Sequence, residues 1–259
     1  MNAKTARITV LFVLFYILSP TKLNAWGVIG HCVIGEMASN MMSCVARKKV
    51  EKVLSNVSVA MVSNWGDFVK ADTAYSEFSD WHYTNLPANL SRNRFDSVAL
   101  TTNSGECIYR VIYLTEYLKK HPNDVEKLKL LIHLVGDMSQ PLHLGRQQDL
   151  GGNTITIKWF GHNINIHALW DSYLIDEQKL SYTEYATHLK RIYKPKRVKY
   201  SKQQVLDFAW KTYLVCEKIY STASDTSKSY RYIYDYQKVW EQQLVEGSIL
   251  LASILDYIY

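Results

Sequence analysis

From residue 29 onward, apolar residues return every three or four positions over long stretches, the period of helices that bury one face. That period predicts helices over residues 29–42, 46–54, 106–119, 124–138, 169–177, 202–220 and 236–258. Two short stretches, 154–159 and 163–166, instead alternate apolar and polar residues on either side of Phe160-Gly161-His162, which predicts a β-hairpin. Pro87 and the polar stretch 89–97 read as loop, and the basic stretch 194–202 reads as a linker between helices. The pattern predicts a mainly α-helical, single-domain bundle carrying one short hairpin.

The first 25 residues break the pattern. Lys4 and Arg7 precede an apolar run from Ile8 to Leu18, and Leu23-Asn24-Ala25 ends in a small residue, the layout of a cleaved signal peptide. The run is too short for a spanning helix, which needs about 20 residues. A mature chain of residues 26–259, exported to the cell exterior or periplasm without a membrane anchor, is expected. Loss of Lys4, Arg7 and Lys22 lowers the formal charge from +6 to +3, so bulk charge makes a weak case for a nucleic-acid partner.

With 259 residues and 47% hydrophobic content, the chain can bury one large core. Cys32, Cys44, Cys107 and Cys216 form no C-x-x-C pair, which argues against a thiolate zinc site. Export permits disulfides, and Cys107 with Cys216 is the pair to test, while Cys32 and Cys44 fit small buried positions.

The chemistry concentrates in His and Asp at helical spacing. His133 and Asp137 lie four apart in a helix whose apolar positions include Leu130, Leu131, Leu134 and Val135, so both side chains leave one face a turn apart. His167 and Asp171 repeat the spacing, and His143 follows the helix-ending Pro141. A single pair of this kind is ordinarily a helix-stabilising contact. Two such pairs in apolar, aromatic surroundings favour imidazole and carboxylate ligands for zinc.

Further candidates stand upstream in Trp26-Gly27-Val28-Ile29-Gly30-His31, Trp65-Gly66-Asp67 and Trp81-His82-Tyr83. With His133 to His143 (HxxGDxxQPLH), Gly151 to Asn153 (GGN) and His167 to Asp171 (HxxWD), these motifs occur in the order found in the zinc-dependent single-strand nuclease and 3′-nucleotidase family, the S1/P1 nucleases, which the chain resembles from Trp26 to Asp171. The resemblance implies a trinuclear zinc cleft. One zinc takes Asp67, His82, His133 and Asp137; a second takes His143, His167 and Asp171; the third takes His31, the shared Asp137, and the amino nitrogen and carbonyl oxygen of Trp26. A free α-amine, with a pKa of about 7.7 to 8.0, can yield its proton to a metal near neutral pH, so cleavage before Trp26 would create a ligand.

The same resemblance implies catalytic roles for Asp67 and Asp137 and sets Lys70 against the phosphate. It places Tyr83 and Asn85 against a base and makes Asn153 a phosphate or supporting contact. It further implies a monomer that cuts single-stranded DNA and RNA to 5′-mononucleotides and dephosphorylates 3′-mononucleotides through zinc-activated water, without a protein nucleophile. Other readings exist for Lys70 as a solvated lysine and for Asp149 and Asn153 as parts of a glycine turn. A zinc phospholipase C is disfavoured because that group carries Glu at the position of Asp171. A non-catalytic exported zinc protein is disfavoured because structural zinc sites are closed. His121, His162 and His188 match no motif and read as surface residues.

Overall fold

The computed structural model describes residues 26–101 and 105–259; the signal-peptide reading falls on residues 1–25, outside the described part. The first half contains α1 (Val28–Met41), α2 (Cys44–Val53), the single turns α3 (Val59–Val62) and α4 (Trp65–Phe68), and α5 (Arg92–Val98). Next come α6 (Cys107–Lys120), α7 (Val125–Ser139) and the hairpin β1 (Thr156–Trp159) with β2 (His162–Asn165). Past the hairpin, α8 (Ile166–Ala168) runs through a π-helical turn, Leu169–Tyr173, into α9 (Leu174–Asp176), and α10 (Tyr182–Tyr193), α11 (Lys202–Ser221) and α12 (Ser229–Ile258) complete the bundle.

Local chemistry marks where these helices start. Ser43, Ser58, Ser91, Asp124, Ser181 and Ser201 each accept a hydrogen bond from a backbone N–H in the first turn of the helix that follows, satisfying a donor that has no partner within the helix. In the hairpin, Thr156 faces Asn165 and Trp159 faces His162 in antiparallel register. Its short strands serve mainly to return the chain so that α8 begins beside the bundle.

α7 lies at the centre, packed by α6, α12, α4 and α1. Leu128, Leu130, Leu131, Leu134, Val135 and Met138 are all inaccessible to solvent, so α7 is surrounded rather than laid on a surface. α12 packs along α1 and closes the bundle; a side chain at its Gly247 would press on Ser139 at the end of α7. Because α7 is enclosed, its polar residues must be satisfied by neighbours or ligands.

The bundle and hairpin match the sequence expectation, with several corrections. The stretch 89–97 is mostly the helix α5, and α10 lies where no helix was predicted. The helix predicted at 169–177 is continuous in direction but widens into a π turn around Asp171, and α12 starts at Ser229, ahead of the predicted 236. Cys107 and Cys216 form no disulfide. All four cysteines are free, and Cys44 is exposed rather than buried. Cys107 turns its thiol toward the Leu134 carbonyl of α7, and burial pushes both its thiol and that of Cys216 up, as in small apolar core residues. No described helix is long and apolar enough to cross a membrane.

Candidate metal centre

Six segments deliver the histidines and carboxylates of the centre. α7 projects His133 and Asp137 from one face, α1 brings His31, and the segment around His82 is tied to the turn after α7: Thr84 N–H donates to the His143 carbonyl and Leu86 N–H to that of Gly145, each at 2.8 Å. The α8–π–α9 segment adds His167 and Asp171, and the α4 turn adds Asp67. Two glycines make the approach possible. A side chain at Gly136 would strike the His31 ring, and one at Gly66 would strike the His133 ring.

Asp137 occupies the middle. His82 Nδ1 lies 2.8 Å and His133 Nε2 3.2 Å from its Oδ2, while His31 Nε2 is 3.3 Å and His143 Nδ1 4.0 Å from its Oδ1. Asp67 Oδ1 stands 3.6 Å from His133 Nε2 and 4.0 Å from His82 Nδ1. On the other side, His167 Nε2 is 3.2 Å from Asp171 Oδ2, and His143 Nε2 is 3.9 Å from Asp171 Oδ1. Three groups emerge that could each hold a metal ion: His31 with His133 and Asp137, Asp67 with His82 and His133, and His143 with His167 and Asp171.

The second ring nitrogens are anchored. His133 Nδ1 is paired with the Ser63 carbonyl at 2.8 Å, His143 Nδ1 with that of His82 at 2.7 Å, and His167 Nδ1 with that of Gly151 at 2.7 Å. Nδ1–H donating to a carbonyl leaves Nε2 as a lone pair aimed into the centre, the tautomer a metal ligand needs. Both nitrogens of His31, Nε2 of His82, Nε2 of His167 and Oδ1 of Asp137 are buried and make no hydrogen bond. Buried polar atoms are rarely left this way, so a cluster of them fits a cation better than any protein partner.

Electrostatics sharpen the picture. Burial acts to raise the Asp137 carboxyl, but the surrounding His133 and His82 outweigh it and hold it well below the usual carboxylate range. Asp67 is likewise lowered despite burial, by His133 and Lys70. Burial dominates at Asp171, whose carboxyl rises to about 6, and at His143, whose imidazole falls to about 3. Burial also lowers His31 and His82, whereas nearby carboxylates outweigh it and raise His133 and His167. Two carboxylates with depressed values and three imidazoles kept neutral are donors prepared for a cation at neutral pH.

The remaining candidates spread around this centre. Trp26 is fully buried, its indole N–H donating to Ser139 Oγ at 2.7 Å, and the N–H of the following Gly27 donates to the Asp171 carbonyl. Lys70 is at the rim, where its ammonium pairs with Asp67 Oδ1 at 2.6 Å. The Tyr83 hydroxyl donates to Asp80 at 3.0 Å, and Asn85 is half-buried two residues on. Asn153 spends its amide on the Leu150 carbonyl at 2.8 Å, and Asp149 accepts from the Gly152 N–H and the Tyr220 hydroxyl, each at 2.7 Å; both therefore build the glycine turn. His121, His162 and His188 are exposed, as expected.

Gln140 is the residue the sequence reading overlooked. Its buried amide N–H donates to Asp171 Oδ1 while its oxygen accepts from the Leu142 N–H, so it orients the carboxylate of the third group. The available signal was a polar residue directly before Pro141, between the candidate ligands Asp137 and His143.

The profile of the S1/P1 nuclease family matches residues 26–259. Endonuclease 2 of Arabidopsis thaliana is 26% identical over 100% of this chain and 99% of its own length, and Endonuclease 4 of the same plant is 30% identical over 61% and 58% respectively. Nuclease P1 of Penicillium citrinum is 27% identical over 58% of each chain. With the match running the full length of the described fold, the chain belongs to the S1/P1 nuclease family and is a hydrolase acting on phosphodiester bonds.

Proposed function

We propose that the protein is an exported, zinc-dependent endonuclease and 3′-nucleotidase that holds three zinc ions and cuts single-stranded DNA and RNA to 5′-mononucleotides. The observation that carries this reading is the set of buried His and Asp atoms without hydrogen bonds around Asp137. The donors are imidazole nitrogen and carboxylate oxygen without thiolate, a set suited to catalytic zinc. Asp67, His82, His133 and Asp137 would hold one ion, His143, His167 and Asp171 another, and His31, Asp137 and the Trp26 terminus the third. Bound zinc supplies a hydroxide-like nucleophile near neutral pH and relieves charge on the phosphate and the leaving oxygen.

The chain's own residues do the positioning. Asp137 draws four imidazoles toward one carboxylate, and the carbonyls of Ser63, His82 and Gly151 fix ring orientation. Lys70, beside Asp67 at the rim, adds positive charge where a phosphate would enter, as a point charge rather than a fork. The half-buried Tyr83 offers a ring to a base of any identity, with Asn85 adjacent for its polar edge. Export follows from the leader at residues 1–25, which also links secretion to completion of the site, because only cleavage frees the Trp26 amine.

The test is zinc content together with hydrolysis of single-stranded DNA, RNA and 3′-AMP, for protein beginning at Trp26 and for the same protein with one added N-terminal alanine. Three zincs and activity confined to the Trp26 form are expected. Three zincs without phosphoester hydrolysis in either form would overturn the reading.

A further inference from the structure

We propose that the outer face of α6, together with the basic strap at 194–202, forms a binding track for single-stranded polynucleotide outside the metal centre. In this track the rings of Tyr109, Tyr113 and Tyr117 stack bases, and Lys120 and Lys202 hold phosphates. The proposal rests on the nuclease reading only for its link to hydrolysis; its binding claim stands on this surface.

Tyrosines recur at every fourth residue of α6 and stand one above another. The rings of Tyr109 and Tyr113 are 6.0 Å apart and tilted by 18°, those of Tyr113 and Tyr117 are 6.2 Å apart and tilted by 20°, and the His121 ring follows 4.6 Å from Tyr117. Four rings thus line about 18 Å of helix at 1.5 Å per residue. A row of near-parallel aromatic rings, with its middle ring open to solvent, suits stacking, which tolerates any base because every base has a π-face. Tyr113, at the middle of the row, is 42% exposed.

Beside the row lies a cavity of about 450 Å³, floored by Leu100 and Ile112 and edged by Lys120 and Lys202. Lys202 ends the strap, whose Lys194, Lys196, Arg197 and Lys199 are all exposed. Tyr200 fastens the strap to the bundle, with its ring 4.6 Å from that of Tyr257 and its hydroxyl donating to Glu116. The acidic groups nearby are engaged: Glu116 accepts from Tyr200 and Tyr257, Glu106 pairs with Arg110, and Asp256 pairs with Arg197. Lys120 and Lys202 enter no ion pair among the described residues and outnumber Glu116, the carboxylate that also lines the cavity, so the rim carries a net positive charge that complements a phosphate backbone.

The row also connects to the metal centre. Arg110 lies 3.8 Å over the Trp81 ring, next to His82, and 5.5 and 5.6 Å from the Tyr109 and Tyr113 rings. The Cys107 N–H at the start of α6 donates to the Tyr83 carbonyl at 3.0 Å. A strand leaving the centre past Tyr83 therefore meets Arg110 and then the tyrosines.

Binding is read by fluorescence anisotropy with a labelled 20-mer of oligothymidylate whose phosphorothioate linkages resist cleavage. Hydrolysis is read in parallel on ordinary oligothymidylate and on 3′-AMP. Tyr113→Ala is expected to weaken binding on the order of tenfold, and Tyr113→Phe, which keeps the ring, to leave it unchanged. The double variant Lys120→Ala/Lys202→Ala should lower the slope of log affinity against log salt by about 1.4, since each phosphate contact on a single strand contributes about 0.7. In both cases KM for the oligonucleotide should rise while its kcat, and the hydrolysis of 3′-AMP, stay constant; far-UV circular dichroism confirms that the helices persist. Unchanged binding in Tyr113→Ala and in the double lysine variant would overturn the track, as would binding to anionic vesicles with none to the oligonucleotide. Tight oligonucleotide binding by a protein that hydrolyses nothing would overturn the nuclease reading and leave the track standing.

Discussion

Two buried carboxylates in this protein have opposite surroundings. Glu241 on α12 accepts hydrogen bonds from the Tyr193 hydroxyl at 2.8 Å, from Gln237 Nε2 at 2.9 Å and from the Tyr185 hydroxyl at 3.4 Å, and Tyr185 in turn accepts from the Trp240 indole. Asp137 on α7 is ringed by imidazoles, yet its Oδ1 and several facing nitrogens make no hydrogen bond. Both regions are polar and enclosed, but the first is complete with protein atoms alone. A polar network finished by its own chain contributes stability; one left with inward-facing lone pairs has been shaped around something the chain does not encode.

The most damaging way to test that contrast is Asp137→Asn, which keeps the shape and removes the shared negative charge. Metal content should fall and activity should drop by more than about a hundredfold, beyond what loss of a supporting residue causes; elemental analysis with kcat/KM on single-stranded DNA decides it. Retention of full metal would mean that Asp137 is only a partner for histidines. Next is Gln140→Ala, which frees Asp171 from its amide donor. About 10- to 100-fold should be lost in metal affinity or activity, while Gln140→Glu, bringing a second carboxylate to Asp171, should be no better. A variant indistinguishable from wild type in a metal-competition titration would dismiss the orienting role.

Acidification separates the groups more gently. Asp171 binds a cation as a carboxylate, and with its value raised to about 6 by burial it is ionised at pH 7 and protonated as pH falls through 6. Each further unit of acidity should cost the His143/His167/Asp171 group at least about tenfold in metal affinity, because His167, raised by the neighbouring Asp171, must also shed its proton to bind, measured by titration with a metal indicator. His143, held near 3, stays neutral throughout that window and contributes nothing to the loss. In metal-free protein the signs oppose. A His with a depressed value stabilises the fold above its unfolded value near 6.5, and that contribution is lost as pH falls toward 3, whereas the raised Asp171 adds stability only at low pH and loses it as pH rises through 6.

The smallest expected effect on catalysis comes from the finished network. Glu241→Ala leaves the Tyr193 and Tyr185 hydroxyls without their acceptor and should cost about 1 to 3 kcal/mol of stability, a fall of several degrees in Tm by calorimetry. Activity of the metal-loaded enzyme should not change. A large loss of activity would show that the two regions are not independent.

The histidines and aspartates of the candidate centre were legible by two routes: His133/Asp137 and His167/Asp171 needed only the period of a helix, whereas His31, Asp67 and His82, on separate segments, stood out only through the motifs of the family resemblance. Long amphipathic stretches such as α7 and α11 were legible by the first route. What escaped depended on contacts between distant segments or on short signals. α10 was announced by Ser181 and Glu184, which form a capping box in the structure, but its weakly apolar face hid it. α5 was concealed by its polar composition although Ser91 caps it. Cys107 and Cys216 looked available for pairing because spacing says nothing of where a thiol points. The pairing of Lys70 with Asp67 is visible only in the folded chain.

The placement of α1 against α12 has a consequence in time. His31 rides on α1, whose main packing partner is the last helix of the chain to be made, whereas His143, His167 and Asp171 lie close together in sequence and pack around the turn after α7. During synthesis the second set can gather while much of the chain is still missing; the first cannot, because its helix waits for a neighbour almost the whole length of the polypeptide away. Topology would therefore order any metal loading: the local group would be the first able to capture an ion, and the His31 side would be sealed only when the final helix docks.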